Sequence, residues 1–320
     1  MLKKDSRKVM PGDTFVDTTF NKEYVYDAVR NGAAFIISKI KYDENTIVVD
    51  DPKEYYNNYI YNKYYEKIKD ITLIGVTGTN GKTTTSYIIY DILNKMDIKC
   101  AYIGTIGFYK NGTIKELNNT TPDIEELYEY LYECALDDIR YVVMEVSSHA
   151  LVQDRVYGLK YDACIFTNLT EDHLDYHKNM DEYKKAKLLL FDKLRNKRIA
   201  IINSDDQNYK DFIFSNNYNV KVGKFGDFRI RNIKLNDDSL DLKFSFKNDY
   251  FKHLNMVGKY NAYNYLEAVA ALVYLNFDIN EILKIDVLAP PGRMYIVKYK
   301  DKRKEPTPAC ISQTNCSRVT

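Results

Sequence analysis

The sequence predicts an α/β fold in which a small N-terminal α/β domain is followed by a mostly parallel sheet with helices on both faces. Three observations predict it. From residue 71 the apolar runs "ITLIGV", "CAYIGT", "YVVMEV", "YDACIFTNL" and "RIAIINS" alternate with helical stretches, the pattern of strands buried on both sides. The first of these runs opens into the glycine-spaced turn "GVTGTNGKTTT" and then a helix. Residues 1 to 70 have a different texture, with shorter apolar runs and more charge.

In the N-terminal segment "DTFV" and "AAFIIS" are predicted as short strands, and "YVYDAVRNG" as a helix closed by glycine. After the glycine turn, Ile88, Ile89, Ile92, Leu93 and Met96 form one apolar helix face. "FRIRNIKLNDDSLDLKFSF" alternates around "NDDS", which predicts an antiparallel hairpin appended to the core, and "NAYNYLEAVAALVYLN" predicts a helix. The expected domains are 1–70, 71–290 and a terminal segment 291–320. In that last stretch, "DKRKEPTPACISQTNCSRVT", periodicity stops, as in a flexible tail.

Composition excludes several classes. The 320 residues are 45% hydrophobic, enough for a sizeable core. Lys plus Arg (46) balances Asp plus Glu (45), so charge gives no reason to expect nucleic acid or an anionic membrane as partner. No apolar stretch is long enough to span a membrane, and "MLKKDSRKVM" lacks the apolar region of a secretory signal, so the expected location is cytoplasmic. The cysteines lack metal-ligand spacing; Cys100, Cys134 and Cys164 read as reduced structural thiols. The 30 tyrosines accompany abundant Lys, Asn and Ile and are assigned no function.

The glycine turn carries the first chemistry. Between a buried strand and a helix N-terminus, Gly78 and Gly81 let the backbone N–H groups wrap phosphate oxygens. Lys82 supplies a compact charge for terminal phosphates, and Thr83 a hydroxyl suited to Mg²⁺. The central domain is therefore of P-loop type. Its spacing, G-x-x-G-x-x-G-K-T from Gly75, departs from the general G-x-x-x-x-G-K-[ST] form. Glu145 falls near the C-terminal end of a buried strand, where it is either a second Mg²⁺ ligand with Thr83 or a capping, salt-bridged carboxylate. Asp172, His173, Asp175 and His177 cluster after another strand. Zinc and loop capping both fit that cluster.

"GVTGTNGKTTT", "TTPD", "MEVSSHALVQDRV", "NLTEDHLDYH", "YKKAK" and "GKYNAYN" stand in the order found in the Mur ligases, and over about residues 5 to 299 the chain resembles that family, nearest to its members that add the third residue of the peptidoglycan peptide. The resemblance implies an ATP-dependent amide synthesis. In it the D-glutamate carboxylate of UDP-N-acetylmuramoyl-L-alanyl-D-glutamate attacks the γ-phosphate, and an amino acid's amine captures the acyl phosphate. Carried over by position, Gly78, Thr79, Asn80, Gly81, Lys82, Thr83 and Thr84 hold phosphates, while Thr83 and Glu145 hold one Mg²⁺. His173 binds a second metal with Lys187, which the family carbamylates with CO₂; unmodified, Lys187 reads as an ordinary helix-face lysine. Lys82, Lys187 and His173 are thus the expected catalytic groups. Asn119, Thr120, Thr121, Ser147, Gln153 and Arg155 hold the muramoyl dipeptide, with Arg155 the fork-shaped partner for a carboxylate. Asn261 and Asn264 open a helix, and the resemblance makes Asn264 an adenine contact. "DSRKVMPGDTFV" resembles a uridine-binding segment anchored by Ser6, although the loop after its strand is shortened to "DTTFNKEYVY".

The resemblance also implies a further C-terminal domain of roughly 150 residues. "PPGRMYIVKYKD" looks like its beginning, and the stretch after about Asp301 reads as a truncated or frame-shifted end. The motif that selects the incoming amino acid lies beyond that point, so diaminopimelate and lysine are not distinguished. Two other readings stay open: a remnant that binds without turnover, and a related folate or polyglutamate ligase, which would not carry "TTPD" with "EVSSHALVQDRV".

Overall fold

The computed structural model describes residues 1–173, 175–292, 298–299 and 302–303. The chain divides into two compact units, Met1–Lys69 and the chain from Asp70 onward. The expectations for the segment after Gly292, including Cys310 and Cys316, lie outside the described residues apart from a short antiparallel pair, Lys298–Tyr299 with Lys302–Arg303.

In the first unit the elements are β1 (Leu2–Lys3), β2 (Thr14–Val16), α1 (Lys22–Arg30), β3 (Phe35–Ser38), β4 (Thr46–Val48) and α2 (Pro52–Ile68). The strands pair in chain order, all parallel. Val9, Phe15, Val25, Ala28 and Ile36 form its core. Asn21 caps α1 by accepting from Glu23 N–H at 2.9 Å. The predicted strands and helix are β2, β3 and α1. Helix α2 lacks an apolar stripe in sequence, yet its start was written there: Asp51 accepts from Glu54 N–H at 3.0 Å and Pro52 fills the first turn.

The second unit runs β5 (Thr72–Thr77), α3 (Lys82–Lys95), β6 (Cys100–Gly104), β7 (Gly107–Lys110), β8 (Thr113–Lys115), α4 (Ile124–Leu136), β9 (Tyr141–Glu145), α5 (Ser148–Val152), β10 (Tyr161–Phe166), α6 (Met180–Leu188), β11 (Leu194–Asn203), β12 (Tyr218–Gly223), β13 (Phe228–Leu235), β14 (Leu240–Phe246), β15 (Asn248–Leu254), α7 (Lys259–Tyr274) and α8 (Ile279–Lys284). Its sheet has the order β15-β14-β13-β12-β11-β10-β5-β9-β6-β7-β8. From β13 to β6 every neighbouring pair is parallel. Both neighbours of β5, β9 and β10, come later in the chain. Strand β5 is therefore the switch point, whose C-terminal end opens a crevice for ligands.

Helices α3 and α7 cover one face, burying Ile88, Ile89, Ile92, Leu93, Val269 and Leu272 in one cluster with Ile74, Val76, Val143, Ile165 and Ile201. The predicted hairpin is β13 and β14, turned at Asn236–Ser239. It is no appendage: β13 continues the main sheet beside β12, and β15 adds a third strand. The reason is burial, since Phe228, Leu240, Leu242, Phe244 and Leu254 share the core cluster with α7.

Gly75 corrects the reading of the glycine spacing. It lies inside β5, and a Cβ there would sit 2.9 Å from the Tyr161 ring and 3.0 Å from Leu190 Cδ1. The first glycine of the pattern serves strand packing, and only the other two belong to the turn. Gly75→Ala is thus expected to cost about 1–3 kcal/mol of stability through overpacking. Denaturant titration measures that loss, while the folded variant keeps its nucleotide affinity in a binding titration; weakened binding without lost stability would return Gly75 to the turn.

Candidate active site

The loop between β5 and α3 is built on two left-handed glycines, Gly78 (φ +147°) and Gly81 (φ +86°). Side chains are excluded at both: a Cβ on Gly78 would fall 2.0 Å from Thr167 Oγ1, and one on Gly81 2.4 Å from Asn264 Oδ1. The segment leaving β10 clamps the loop. Thr79 N–H donates to Asn168 O (2.8 Å), Asn80 N–H to Asn168 Oδ1 (3.0 Å), and Asn168 Nδ2 to Asn80 O (3.0 Å). Thr170 N–H donates to Thr79 Oγ1 at 3.0 Å. The sequence reading passed over Thr167, Asn168 and Thr170, although "TNLT" follows a buried strand as polar residues that can satisfy a loop backbone. Thr84 lies half-buried in the first turn of α3.

Glu145 ends β9 one strand over, in register with Val76, and is fully buried. Its carboxylate accepts from Thr83 Oγ1 (3.0 Å), Thr105 N–H (2.9 Å), Thr105 Oγ1 (3.1 Å) and the Tyr102 hydroxyl. Both sequence alternatives keep a footing: Glu145 caps the Thr105 N–H, and it is in contact with the Thr83 hydroxyl. The donor set, one carboxylate and one hydroxyl at the mouth of a phosphate loop, has the hard oxygens that Mg²⁺ takes. Tyr102 and Thr105 were missed because neither falls in a recognisable motif.

Lys187 is 1% exposed, so the helix-face reading fails. Its Nζ donates to Gly78 O at 2.9 Å, the same carbonyl that Lys82 Nζ reaches at 2.9 Å, and it lies 4.2 Å from the Tyr183 ring centre. Burial and then the neighbouring Lys82 charge hold the Lys187 amine well below the ordinary lysine value, against the weaker opposite pull of Asp172. A desolvated neutral amine is a nucleophile.

The dipeptide candidates gather on one side. Thr120 Oγ1 is 3.1 Å from Thr105 Oγ1, and Thr121 Oγ1 donates to Glu145 O (2.9 Å) and accepts from Ser147 N–H (3.1 Å). Arg155 donates from Nη1 to Thr121 O (2.9 Å) and from Nε and Nη2 to Gln153 Oε1 (3.0 and 2.7 Å). Asn119 is exposed beside Thr120. In the first unit Ser6 is buried at the start of a 3-10 turn capped by Asp5, and its carbonyl accepts from Asn31 Nδ2 at 2.9 Å.

His173 is half-exposed with φ +53°, and its ring meets His149 edge-on at 5.2 Å between centres. His177 is buried and bonded to Ser148 Oγ at 2.8 Å. Burial, with neighbouring charges, depresses the basicity of His149 and His177. Asp172 stays beside its own loop, accepting from His173 N–H at 2.8 Å, and Asp175 is exposed. No three His, Cys, Asp or Glu side chains among the described residues surround a common point.

The α7 helix meets the loop through buried Asn264, which donates to Asn261 Oδ1 at 3.1 Å. Asn261 donates in turn to Val257 O, in keeping with a helix start. One turn further, Glu267 is fully buried with Oε2 3.3 Å from Thr85 Oγ1, and its Oε1 has no partner among the described residues.

Residues 76–272 match the Mur ligase middle domain. The chain belongs to the Mur ligase family. It is 35% identical over 310 residues to the UDP-N-acetylmuramoyl-L-alanyl-D-glutamate--2,6-diaminopimelate ligase of Clostridium botulinum, covering 92% of this chain and 64% of that relative. The chain thus spans less than two thirds of the length of that curated relative. A solved structure of a ligase with the same printed name superposes with a TM-score of 0.81 at 25% identity, covering 94% of this chain and 65% of the other. Mycobacterium tuberculosis folylpolyglutamate synthase complexed with ADP superposes at 0.64 with 13% identity, covering 77% and 64% of the two chains, a likeness of fold alone.

Burial holds the Glu267 carboxyl well above its ordinary 4.5, against the smaller lowering by the Thr85 hydroxyl. The folded chain then keeps a proton that the unfolded chain releases, so the associated stability is full below about 4.5 and is lost as pH rises toward the folded-state value. Glu267→Gln removes that dependence. Thermal unfolding at pH 5 and pH 8 is expected to show wild type losing ground to the variant at the higher pH; a pH-independent difference would mean the acid is not buried as a neutral group.

Proposed function

We propose that this chain serves an ATP-dependent amide ligation that joins an amino acid to the D-glutamate of UDP-N-acetylmuramoyl-L-alanyl-D-glutamate in peptidoglycan synthesis. The observation that carries the reading is the meeting of Lys82 and Lys187 on the Gly78 carbonyl, beside the Thr83–Glu145 pair. Two amines around one carbonyl prepare a polyanion site, and burial, with the Lys82 charge beside it, lowers the basicity of Lys187 well below that of an ordinary lysine. That favours its reaction with CO₂, in which the amine nitrogen bonds to carbon, releases a proton and becomes an anionic carbamate. Together with half-exposed His173, it would hold a second metal.

The chemistry asks a carboxylate to approach a triphosphate. Lys82, the loop N–H groups and the α3 N-terminus would offset that repulsion, and Mg²⁺ held by Thr83 and Glu145 would add charge neutralisation. Arg155 would hold the incoming carboxylate. Its oxygen bonds to the γ-phosphorus as the bridging bond to ADP breaks; the amine then displaces phosphate from the acyl carbon and loses a proton. Asn264 would meet adenine, while Asn119, Thr120, Thr121, Ser147 and Gln153 would line the muramoyl dipeptide and Ser6 the uridine. Among the described residues no helix is long and apolar enough to cross a membrane, in keeping with a cytoplasmic role on soluble precursors.

The test incubates the 320-residue chain with ATP, Mg²⁺, the UDP-muramoyl dipeptide and candidate amino acids, starting with the diaminopimelate in the relatives' names, and follows phosphate and tripeptide. Phosphate release that depends on the dipeptide is expected, with tripeptide the mark of complete ligation, and no phosphate in spite of measurable nucleotide binding would sink the reading. Lys187→Ala should lower turnover by about a hundredfold or more with ATP affinity nearly unchanged; an undiminished rate would remove the carbamate. Thr83→Val should raise the Mg²⁺ concentration needed for half-maximal rate, read from a magnesium titration, since it deletes a ligand but no charge.

A further inference from the structure

The hydrogen bonds around Arg155 continue past the residues already assigned. Gln153 Oε1 accepts from both Nε and Nη2 of Arg155 and Thr121 O from Nη1, with the Asp123 carboxylate 3.6 Å from Nε; one N–H on each terminal nitrogen stays outside these hydrogen bonds for an incoming carboxylate. Because the guanidinium demands an acceptor, the Gln153 amide must turn its NH₂ the other way. There Nε2 meets the Tyr176 hydroxyl at 3.3 Å. Tyr176 in turn lies with its ring 4.0 Å from that of His149, which touches His173 and His177.

We infer that Tyr176 is a positioning residue for the carboxylate site: through Gln153 it fixes the rotation of Arg155, and its ring is braced by His149. Tyr176 sits on the loop after β10 and Arg155 after α5, so the relay ties the segment that carries His173 to the segment that carries the carboxylate partner. An arginine held on one edge gives up less conformational freedom when its other edge binds, which is where the affinity arises. The hydroxyl accepts from Gln153, which leaves its O–H as a donor on the open side, where the residue is 40% exposed.

The inference rests on Arg155 being the carboxylate partner, and two readouts keep the two claims apart. In the ligand-free full chain, Tyr176→Phe is expected to speed solvent exchange of the Arg155 Nε–H seen by nitrogen–proton NMR. In calorimetric titration it should weaken the UDP-muramoyl dipeptide by about five- to tenfold, the loss of one ordinary hydrogen bond, with ADP affinity unchanged. In a Gln153→Ala background the same substitution should add nothing, because the relay is already cut. Unchanged Arg155 exchange, or equal losses for dipeptide and ADP together with a lowered melting temperature, would overturn the positioning role. Faster exchange in a chain whose wild type does not bind the dipeptide would uphold the relay and refute the substrate reading.

Discussion

Everything at the C-terminal edge of the sheet is arranged around a backbone carbonyl that two lysines share. Gly78 O accepts from both Lys82 Nζ and Lys187 Nζ, each at 2.9 Å. Burial, and after it the neighbouring Lys82 charge, disfavours the charged form of the Lys187 amine, which is 1% exposed where Lys82 is half-exposed. A side chain on Gly78 would collide with Thr167 and Asn168, and the loop is held in shape because Thr167 and Asn168 bond its backbone and Thr170 the Thr79 hydroxyl.

Two buried glutamates show how surroundings divide one residue type into different roles. Glu145 accepts from Thr83, Thr105 and Tyr102, enough donors to replace water around a carboxylate. Glu267 has one long contact and an orphan oxygen, and burial keeps its proton on. The first sits where a cation would be welcomed. The second sits between α3 and α7, one turn behind Asn264, where a charge would have nothing to balance it.

The sequence made the sheet legible because its central strands are covered on both sides and therefore apolar throughout; β5, β6, β9, β10 and the core of β11 all stand where the runs predicted. Helix α2 and the edge strands β8 and β15 were not legible, since α2 lacks a stripe, β8 is exposed throughout and β15 is largely exposed. In the site, residues inside dense motifs could be named individually. Thr105 and Tyr102 could not, because their importance lies in contacts with Glu145, about 40 positions away; Tyr176 stands inside "NLTEDHLDYH", but its contact with Gln153, over 20 positions away, is not written in that motif. Spacing reports neighbours along a chain, whereas these contacts are made by strand order and loop packing.

The same reasoning explains why no metal centre announces itself in the protein alone. Mg²⁺ demands octahedral oxygen coordination but parts with its waters reluctantly, so a protein that uses it with phosphates contributes one or two ligands and leaves the rest to substrate and solvent. Thr83 and Glu145, the pair proposed for that role, are already in mutual contact and braced by Thr105. A centre completed by its own reactants has to be recognised from the cradle that would receive them, and here Gly78, Gly81 and the two lysines supply that cradle before any ligand arrives.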